Sequence, residues 1–560
     1  MTSERSSDHN EGEISMRKRR GLLASLVAFS LLAVSCGGDD DADSSGGETT
    51  EPAADDDSGG DSDSGGDSDD GGETTEPAAD DDSGGDGSML IVGTDAEPTT
   101  LDIMAIDDNG LHLSTWSINE PLADIALDGG VELFLAEEVP TIDPDDATRW
   151  NVKLREDVSF TDGEPFNADA VKANVDRLLD PSYTTTVLSE IGGLIGAEVV
   201  DEFNVVLVTE EPAPGLLNSL RKLRFLSPAS FDNAAEVPIG TGPYMFVDWQ
   251  KGQQLTIAAN SDYWGAKKPE IGTIEIRFIP DTNTRVAAFE AGEINILVNP
   301  PDTQLAQFAN LVEVPGGEVG ATRLNTSTPP FDDVNFRQAL NFAQDKRTLV
   351  DQLFGGAYPV SECQVTAPPA FGYNDSLTAY PYDPAKAEEL LALVDIPDGF
   401  VVELNGTSAV YGSDREIQET MASYWRDIGL EVNVVFDEID PYLDKIFNPE
   451  IPIVYAETDQ AFNSFSRQIG LFLQAGGAVT ALGEPEQTAL DALVETSQQD
   501  PDPAAREAAM FEIADYACEN ALFVFMFIRA DVAALDDGVE VIPSFGQFEK
   551  VYWNNVTLAS

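Results

Sequence analysis

Residues 240–295 open on Gly240-Thr-Gly-Pro-Tyr244, pass Trp249 and Leu255-Thr-Ile257, and run through Asn260-Ser-Asp-Tyr-Trp-Gly265 and Pro269 to Ile274-Glu-Ile-Arg-Phe-Ile279. They close on Ala288-Phe-Glu-Ala-Gly-Glu-Ile-Asn295. Glycines at 240 and 242 mark a tight turn. It is not a phosphate loop, because Pro243 removes an amide donor and no Lys-Ser/Thr follows. The alternating stretch after it reads as a hairpin packed by Tyr263 and Trp264, then a strand at Ile274–Ile279. A helix follows, which Gly292 closes.

Working outward, the same two periods recur. Upstream, Asp162-Gly163 turns the chain out of a strand, and Asn167 caps a helix over Ala168–Leu179 with Val171, Val175 and Leu178 inward. Val205–Val208 and Val432–Phe436 read as strands. Helices are expected at Asn335–Phe354, Pro384–Val394, Ser413–Ile428 and Pro503–Cys518, with Ser413 and Glu416 as a capping box. The run Ala521–Ile528 has eight apolar residues, far short of the roughly 20 a membrane span needs, and reads as a buried strand. Such alternation defines an α/β protein.

The chain has 560 residues, with 30 Lys+Arg against 102 Asp+Glu and a formal charge of −72. Nucleic acid is excluded as a partner, because its phosphates would be repelled. The hydrophobic share of 42% is ample for folded lobes. With His9 and His112 as the only histidines and Cys36, Cys363 and Cys518 as the only cysteines, metal sites and nucleophile–base pairs have few candidates. No cofactor is expected, and no enzyme, with an exported enzyme or a passive surface protein as the alternative. Carboxylate pairs such as Asp437 and Glu438 arise by chance in so acidic a chain.

The N-terminal segment has the layout of a signal peptide over residues 1–35: Met16-Arg-Lys-Arg-Arg, then an apolar run from Gly21 to Ser35. Leu32-Ala-Val-Ser-Cys36 resembles a bacterial lipobox, with Ala33 where leucine is commoner, and implies that a lipid on Cys36 anchors the mature chain. Residues 36–88 form an acidic tether; positions 39–87 hold 20 Asp+Glu and no Lys or Arg. The unit Gly46–Asp61 recurs at Gly71–Asp86, but neither copy has an apolar face to stack, and a calcium array would need carboxylates held by a defined turn. The remaining 473 residues keep a net charge of −53, an acidity suited to salty surroundings. Export leaves Cys363 and Cys518 as an even pair in an oxidising compartment; they are expected to bond, two separately buried thiols being the alternative.

Three blocks carry a resemblance. Ser159–Asp180, the stretch 240–295 quoted above, and Asn325-Thr-Ser-Thr-Pro-Pro-Phe-Asp-Asp-Val-Asn-Phe-Arg-Gln-Ala-Leu340 resemble, in order and spacing, the bacterial extracellular solute-binding proteins of family 5. Weaker matches follow at Ala379–Leu391 and Gln418–Val434. The family's oligopeptide, dipeptide and nickel binders feed ABC importers. The resemblance implies a two-lobe periplasmic-binding-protein-like α/β fold of the large type II class. Lobe one would comprise 89–118, 239–318 and 525–560, with an extra subdomain inserted at 119–238, and lobe two would be 319–524. It also implies a monomer that passes a peptide or other small solute to an ABC permease at the cell membrane.

In the family's peptide binders a carboxylate from lobe two neutralises the solute's amino terminus. Glu457 falls nearest that position, with Asp459 two residues on, in Ile453-Val-Tyr-Ala-Glu-Thr-Asp-Gln-Ala-Phe462. The loop's usual Trp and Pro are absent. Tyr455 and Phe462 would line this wall, opposite Trp116, Asn119 and Glu120 on lobe one, with a core role for Trp116 as the alternative. Trp264 and Trp425 are assigned to packing. Nickel is disfavoured, since only His112 remains in the mature chain. Sugars, opines and siderophores are the family's other solutes.

Overall fold

The computed structural model describes residues 88–558 except 192, 408–412, 459–467, 478, 545 and 547. The expected signal peptide, Cys36, the tether up to 87, Asp459 and Phe462 lie outside the described residues. No described helix is long and apolar enough to cross a membrane.

The first lobe opens with β1 (Met89–Thr94) and α1 (Asn109–Thr115). The chain then builds an inserted unit. A hairpin, β2 (Ala123–Ile125) and β3 (Val131–Leu133), precedes β4 (Thr141–Asp143), β5 (Asp146–Lys153), α2 (Ala168–Leu179), β6 (Leu194–Asp201) and β7 (Asn204–Thr209). The last four strands form an antiparallel sheet in the order β4-β5-β7-β6. In α2, Asn167 accepts from the Ala170 amide and the buried Val171, Val175 and Leu178 face the sheet, as the spacing predicts.

Lobe one resumes with β8 (Tyr244–Gln250), β9 (Gln254–Ala259), β10 (Thr273–Phe278), α3 (Thr282–Glu290) and β11 (Ile296–Val298). Gly292 follows α3 at φ 72°, while Glu293 N donates to Ala288 O and turns the chain out of the helix. The strand β12 (Leu311–Leu324) then leaves for the second lobe. That lobe contains α4 (Val334–Phe342), α5 (Lys346–Leu353), α6 (Pro384–Leu391), β13 (Val402–Thr407), α7 (Asp414–Asp427), β14 (Val432–Asp437), α8 (Ile439–Ile446), β15 (Ile453–Val454), β16 (Glu457–Thr458), α9 (Glu484–Gln499) and α10 (Pro503–Glu519). The strand β17 (Phe523–Leu535) returns to lobe one, where β18 (Val539–Val541) pairs with β19 (Val556–Leu558).

One sheet runs through both lobes in the order β14-β13-β15-β12-β17-β11-β1-β10-β9-β8, with β16 added to β12. Among the described residues, only β12 and β17 pass from one lobe to the other. Midway, Val314 pairs with Asp531 and Glu318 with Arg529, so residues 315–317, Pro-Gly-Gly in sequence, stand opposite Ala530 alone. A bulge of this kind bends the ladder, and proline is tolerated there because it owes no ladder hydrogen bond. The bend separates two cores. Phe523–Ile528 and Val532 pack into the second core, whereas Ala533 and Leu535 belong to lobe one. The return strand therefore leaves the second core after Val532, past the expected 524/525. The inserted unit's core also takes in Ile103, Met104, Leu111 and Trp116 from the segment assigned to lobe one, and Tyr552 from the C-terminal part.

Two local expectations need correction. Ser413 sits at φ 59° with no side-chain bond, so the capping box with Glu416 does not form; a left-handed cap turns its hydroxyl away from the first-turn amides. The helix expected over Asn335–Phe354 is two helices, because Asp345 starts a new one by accepting from Thr348 N. Cys363 and Cys518 are bonded within lobe two, their Cα atoms 5.3 Å apart.

Candidate functional site

The glycine-rich turn clasps the end of the first lobe-one segment. Gly242 N donates to Ile118 O at 2.9 Å and Tyr244 N to Ser117 O at 3.1 Å. A β-carbon at Gly240 or Gly242 would overlap the carbonyl oxygens of Ile118 and Ser117. The motif then converges on one carboxylate. Glu120 accepts from Thr241 Oγ1 at 2.7 Å, Tyr263 OH at 2.6 Å and Trp264 Nε1 at 2.8 Å. Burial pushes its carboxyl up to about 7, against the pull of those donors. With both oxygens taken up and no exposed surface, Glu120 fastens lobe one to the inserted unit.

Trp116 and Asn119 belong to the same joint. The Arg224 guanidinium lies over the Trp116 ring, and His112 meets that ring edge-on at 4.9 Å. Arg224 donates to Trp116 O, Asn119 O, Asp124 and Tyr552 OH, and Arg221 Nε stands 2.9 Å from Asp124. Asn119 Nδ2 donates to Phe225 O at 3.0 Å. Buried polar atoms without a hydrogen-bond partner here include Trp116 Nε1, Asn119 Oδ1 and His112 Nδ1. Such atoms are uncommon, because each forfeits its hydration. His112 pairs with Asp107 at 2.7 Å, and burial lowers its pKa to about 3, which keeps the imidazole neutral. No group of three or more His, Cys, Asp or Glu set to hold a metal occurs among the described residues.

The second group stands where the strands cross. β16 is held on β12 by the pairing of Glu457 with Gly320, which sets the carboxylate beside Arg529 of β17. Arg529 grips it in bidentate fashion, Nε at 2.8 Å and the second amino nitrogen at 2.9 Å, and Tyr455 OH donates to it at 2.7 Å. Arg529 also bonds Asp302, which accepts from Tyr358 OH at 2.6 Å. Burial alone would lower the Arg529 pKa; Glu457 and Asp302 outweigh it and raise it further above its ordinary value. Glu457 is 6% exposed, so it is neither an open amine receptor nor a solvated surface charge. It is one arm of a buried ion cluster.

The structure thus gathers the sequence candidates into two groups, Trp116 with Asn119 and Glu120, and Tyr455 with Glu457. It adds Arg221, Arg224, Tyr552, Asp302 and Arg529, which pattern reading missed. A signal existed for two of them: Arg221-Lys-Leu-Arg224 is a basic run in a folded part with only 25 Lys+Arg.

A family profile described as bacterial extracellular solute-binding proteins, family 5 Middle, matches residues 130–478. The glutathione-binding protein GsiB of Salmonella typhi is 31% identical over 327 residues, 56% of this chain and 63% of that protein. The same protein of Escherichia coli O157:H7 is 30% identical over the same shares. The chain thus spans less than two thirds of these relatives. NikA from Brucella suis, solved in complex with Fe(III)-EDTA, is 25% identical with a TM-score of 0.74, covering 84% of this chain and 99% of that one. HbpA2 from Haemophilus parasuis shares the fold at 23% identity and a TM-score of 0.75, over 84% of this chain and 100% of its own. DppA from Helicobacter pylori, in complex with the peptide STSA, does so at 21% and 0.63, over 84% and 98%. With a profile matched across more than half its length, on a two-lobe frame shared with these structures, the chain belongs to the bacterial extracellular solute-binding proteins, family 5.

Proposed function

We propose that the protein is the solute-capturing component of an ABC import system, a non-enzymatic receptor that takes a peptide or peptide-like molecule between its lobes and delivers it to a membrane permease. The observation that carries this reading is the pair of unpartnered buried atoms at the joint of lobe one and the inserted unit, Trp116 Nε1 and Asn119 Oδ1. One donor and one acceptor match the complementary acceptor and donor of a peptide group. The likeness to glutathione-binding proteins points the same way.

The test is calorimetric titration with glutathione as the probe, joined to small-angle scattering. Binding with compaction is expected, since a ligand favours the closed arrangement only by binding it better. Trp116→Phe keeps an aromatic ring beneath Arg224 but removes the N–H together with the second ring of the indole, which leaves a void in a buried site. It should weaken glutathione binding about tenfold, the equivalent of one lost hydrogen bond, and lower the unfolding midpoint by a few degrees, with the variant still fully folded at the titration temperature. Unaltered affinity would remove Trp116 from the solute site. Turnover of glutathione by the isolated protein would overturn the receptor reading.

We further infer that the protein works as a monomer on the outer face of a membrane, held by a lipid on Cys36. Support comes from the lipobox-like Leu32–Cys36 and the acidic stretch after it. Cys36→Ser should move the protein from the membrane to the soluble fraction. Retention of that variant on membranes would refute the anchor.

A further inference from the structure

Arg529 and Asp531 are two residues apart on β17 and so share one face of the strand at the bend. Asp531 stands opposite Val314, at the lobe-one foot of the bulge, and its Oδ2 accepts from Phe548 N at 2.8 Å. Its side chain lies deep in the molecule and still keeps a partial opening to solvent. Beside it comes a second carboxyl from a short turn, Phe548–Lys550. Glu549 is 2% exposed; its Oε1 accepts from Asn299 Nδ2 at 3.1 Å, while its Oε2 is buried with no donor. The charged groups around the pair are Glu318 from β12, Lys550 from the same turn, Asp95 from beyond β1 with Arg285 of α3 at 3.9 Å from it, and, from the α1 region packed on the turn, Asp107 and His112, which face Lys550. Carboxylates outnumber cations there, and the side-chain hydrogen bond that joins Asp531 to Glu549 needs a proton on one of the two carboxyls.

We propose that Asp531 and Glu549 share one proton and act as a pH-controlled lock that ties the C-terminal segment of lobe one to the crossing strand. With the proton present, one carboxyl donates to the other and the turn is held against β17. Without it, two anions face each other in a poorly hydrated site and push the turn away from the strand beside the bulge, which loosens the hinge. Burial raises both carboxyls, Asp531 from 3.8 to about 6, and the charge of each neighbouring carboxylate adds to the rise. A carboxyl raised in the folded state binds its proton more tightly than in the unfolded chain. Its contribution is therefore present at low pH and lost as pH climbs through the window from 3.8 to about 6.

The experiment is hydrogen exchange of the full chain without solute, at pH 5 and pH 8, corrected for the intrinsic exchange rate. In the wild type, peptides covering 311–324, 523–535 and 548–556 should exchange about tenfold faster at the higher pH, the change that one unit of linked pKa shift produces. Asp531→Asn and Glu549→Gln each leave an amide–carboxylate hydrogen bond that does not need the proton, so the difference should vanish in both. A wild type with no pH dependence in these segments, or variants that keep it, overturns the lock. Should Asp531→Asn fail to fold, Glu549→Gln decides alone. Failure of both to fold would also overturn it, since an uncharged pair is the locked form. The readout involves no solute and stands apart from the receptor reading.

Discussion

Arg529→Met is expected to lower the stability of lobe two by about 4 kcal/mol, read as a fall in the urea midpoint at unchanged slope. The size follows from what remains. Removing the guanidinium strands Glu457 and Asp302 as buried carboxylates whose hydroxyl donors, Tyr455 and Tyr358, supply hydrogen bonds but no charge. Glu457→Gln leaves Arg529 its bond to Asp302, and should cost only about 1–2 kcal/mol. Replacing Arg529, Glu457 and Asp302 together by Met and Leu should recover most of the loss, because an apolar cluster of similar volume needs no compensation. A single-variant loss below about 1 kcal/mol would mean that water already compensates these charges.

Lys346→Met is expected to stabilise the protein. Lys346 is the first residue of α5, where the positive end of the helix dipole repels an ammonium. It is 3% exposed, its Nζ has no hydrogen-bond partner, and the nearest compensation is the Tyr380 ring at 5.7 Å. Burial lowers its pKa from 10.5 to about 7. The unfolded chain thus holds the proton more tightly between those values, so stability rises with pH through that window and the penalty is complete below it. Methionine keeps the length of the side chain and discards the charge, for a gain of about 2 kcal/mol at pH 6 that shrinks toward pH 10. A gain that grew with pH, or none at pH 6, would show that Lys346 is compensated.

Where local chemistry decides, sequence and structure agree closely. The helix after Asn167 needs one cap and one apolar stripe, both spelled out within twelve residues. The apolar run at Ala521–Ile528 was legible as a strand, but pattern reading stops at the first charged residue. That residue is Arg529, and the strand continues to Leu535. Its charge is tolerated because Glu457 and Asp302 arrive from 72 and 227 positions away. No window of sequence contains both halves of such a pair, so the hub of the crossing was out of reach, as were Tyr552 and Asp124 around Arg224. Glu120 shows the opposite case: Gly240, Gly242, Tyr263 and Trp264 were recognisable as a motif, while the purpose that unites them, one buried carboxylate, needed coordinates.

The double crossing also sets an order of assembly. Everything lobe two needs lies in one uninterrupted stretch, from Leu305 to Val532, so its core can close while the chain is still emerging. Lobe one cannot. Its core requires Ala533, Leu535, Val539, Phe548, Val551, Trp553 and Val556 to pack against Leu90, Val92 and Ile274, residues more than 250 positions earlier. Those early strands must wait, partly unprotected, until the final stretch appears, a long loop closure that slows folding. Shortening the chain to end just after Val532 should therefore leave lobe two intact and lobe one unformed, with the exposed strands of lobe one prone to aggregate.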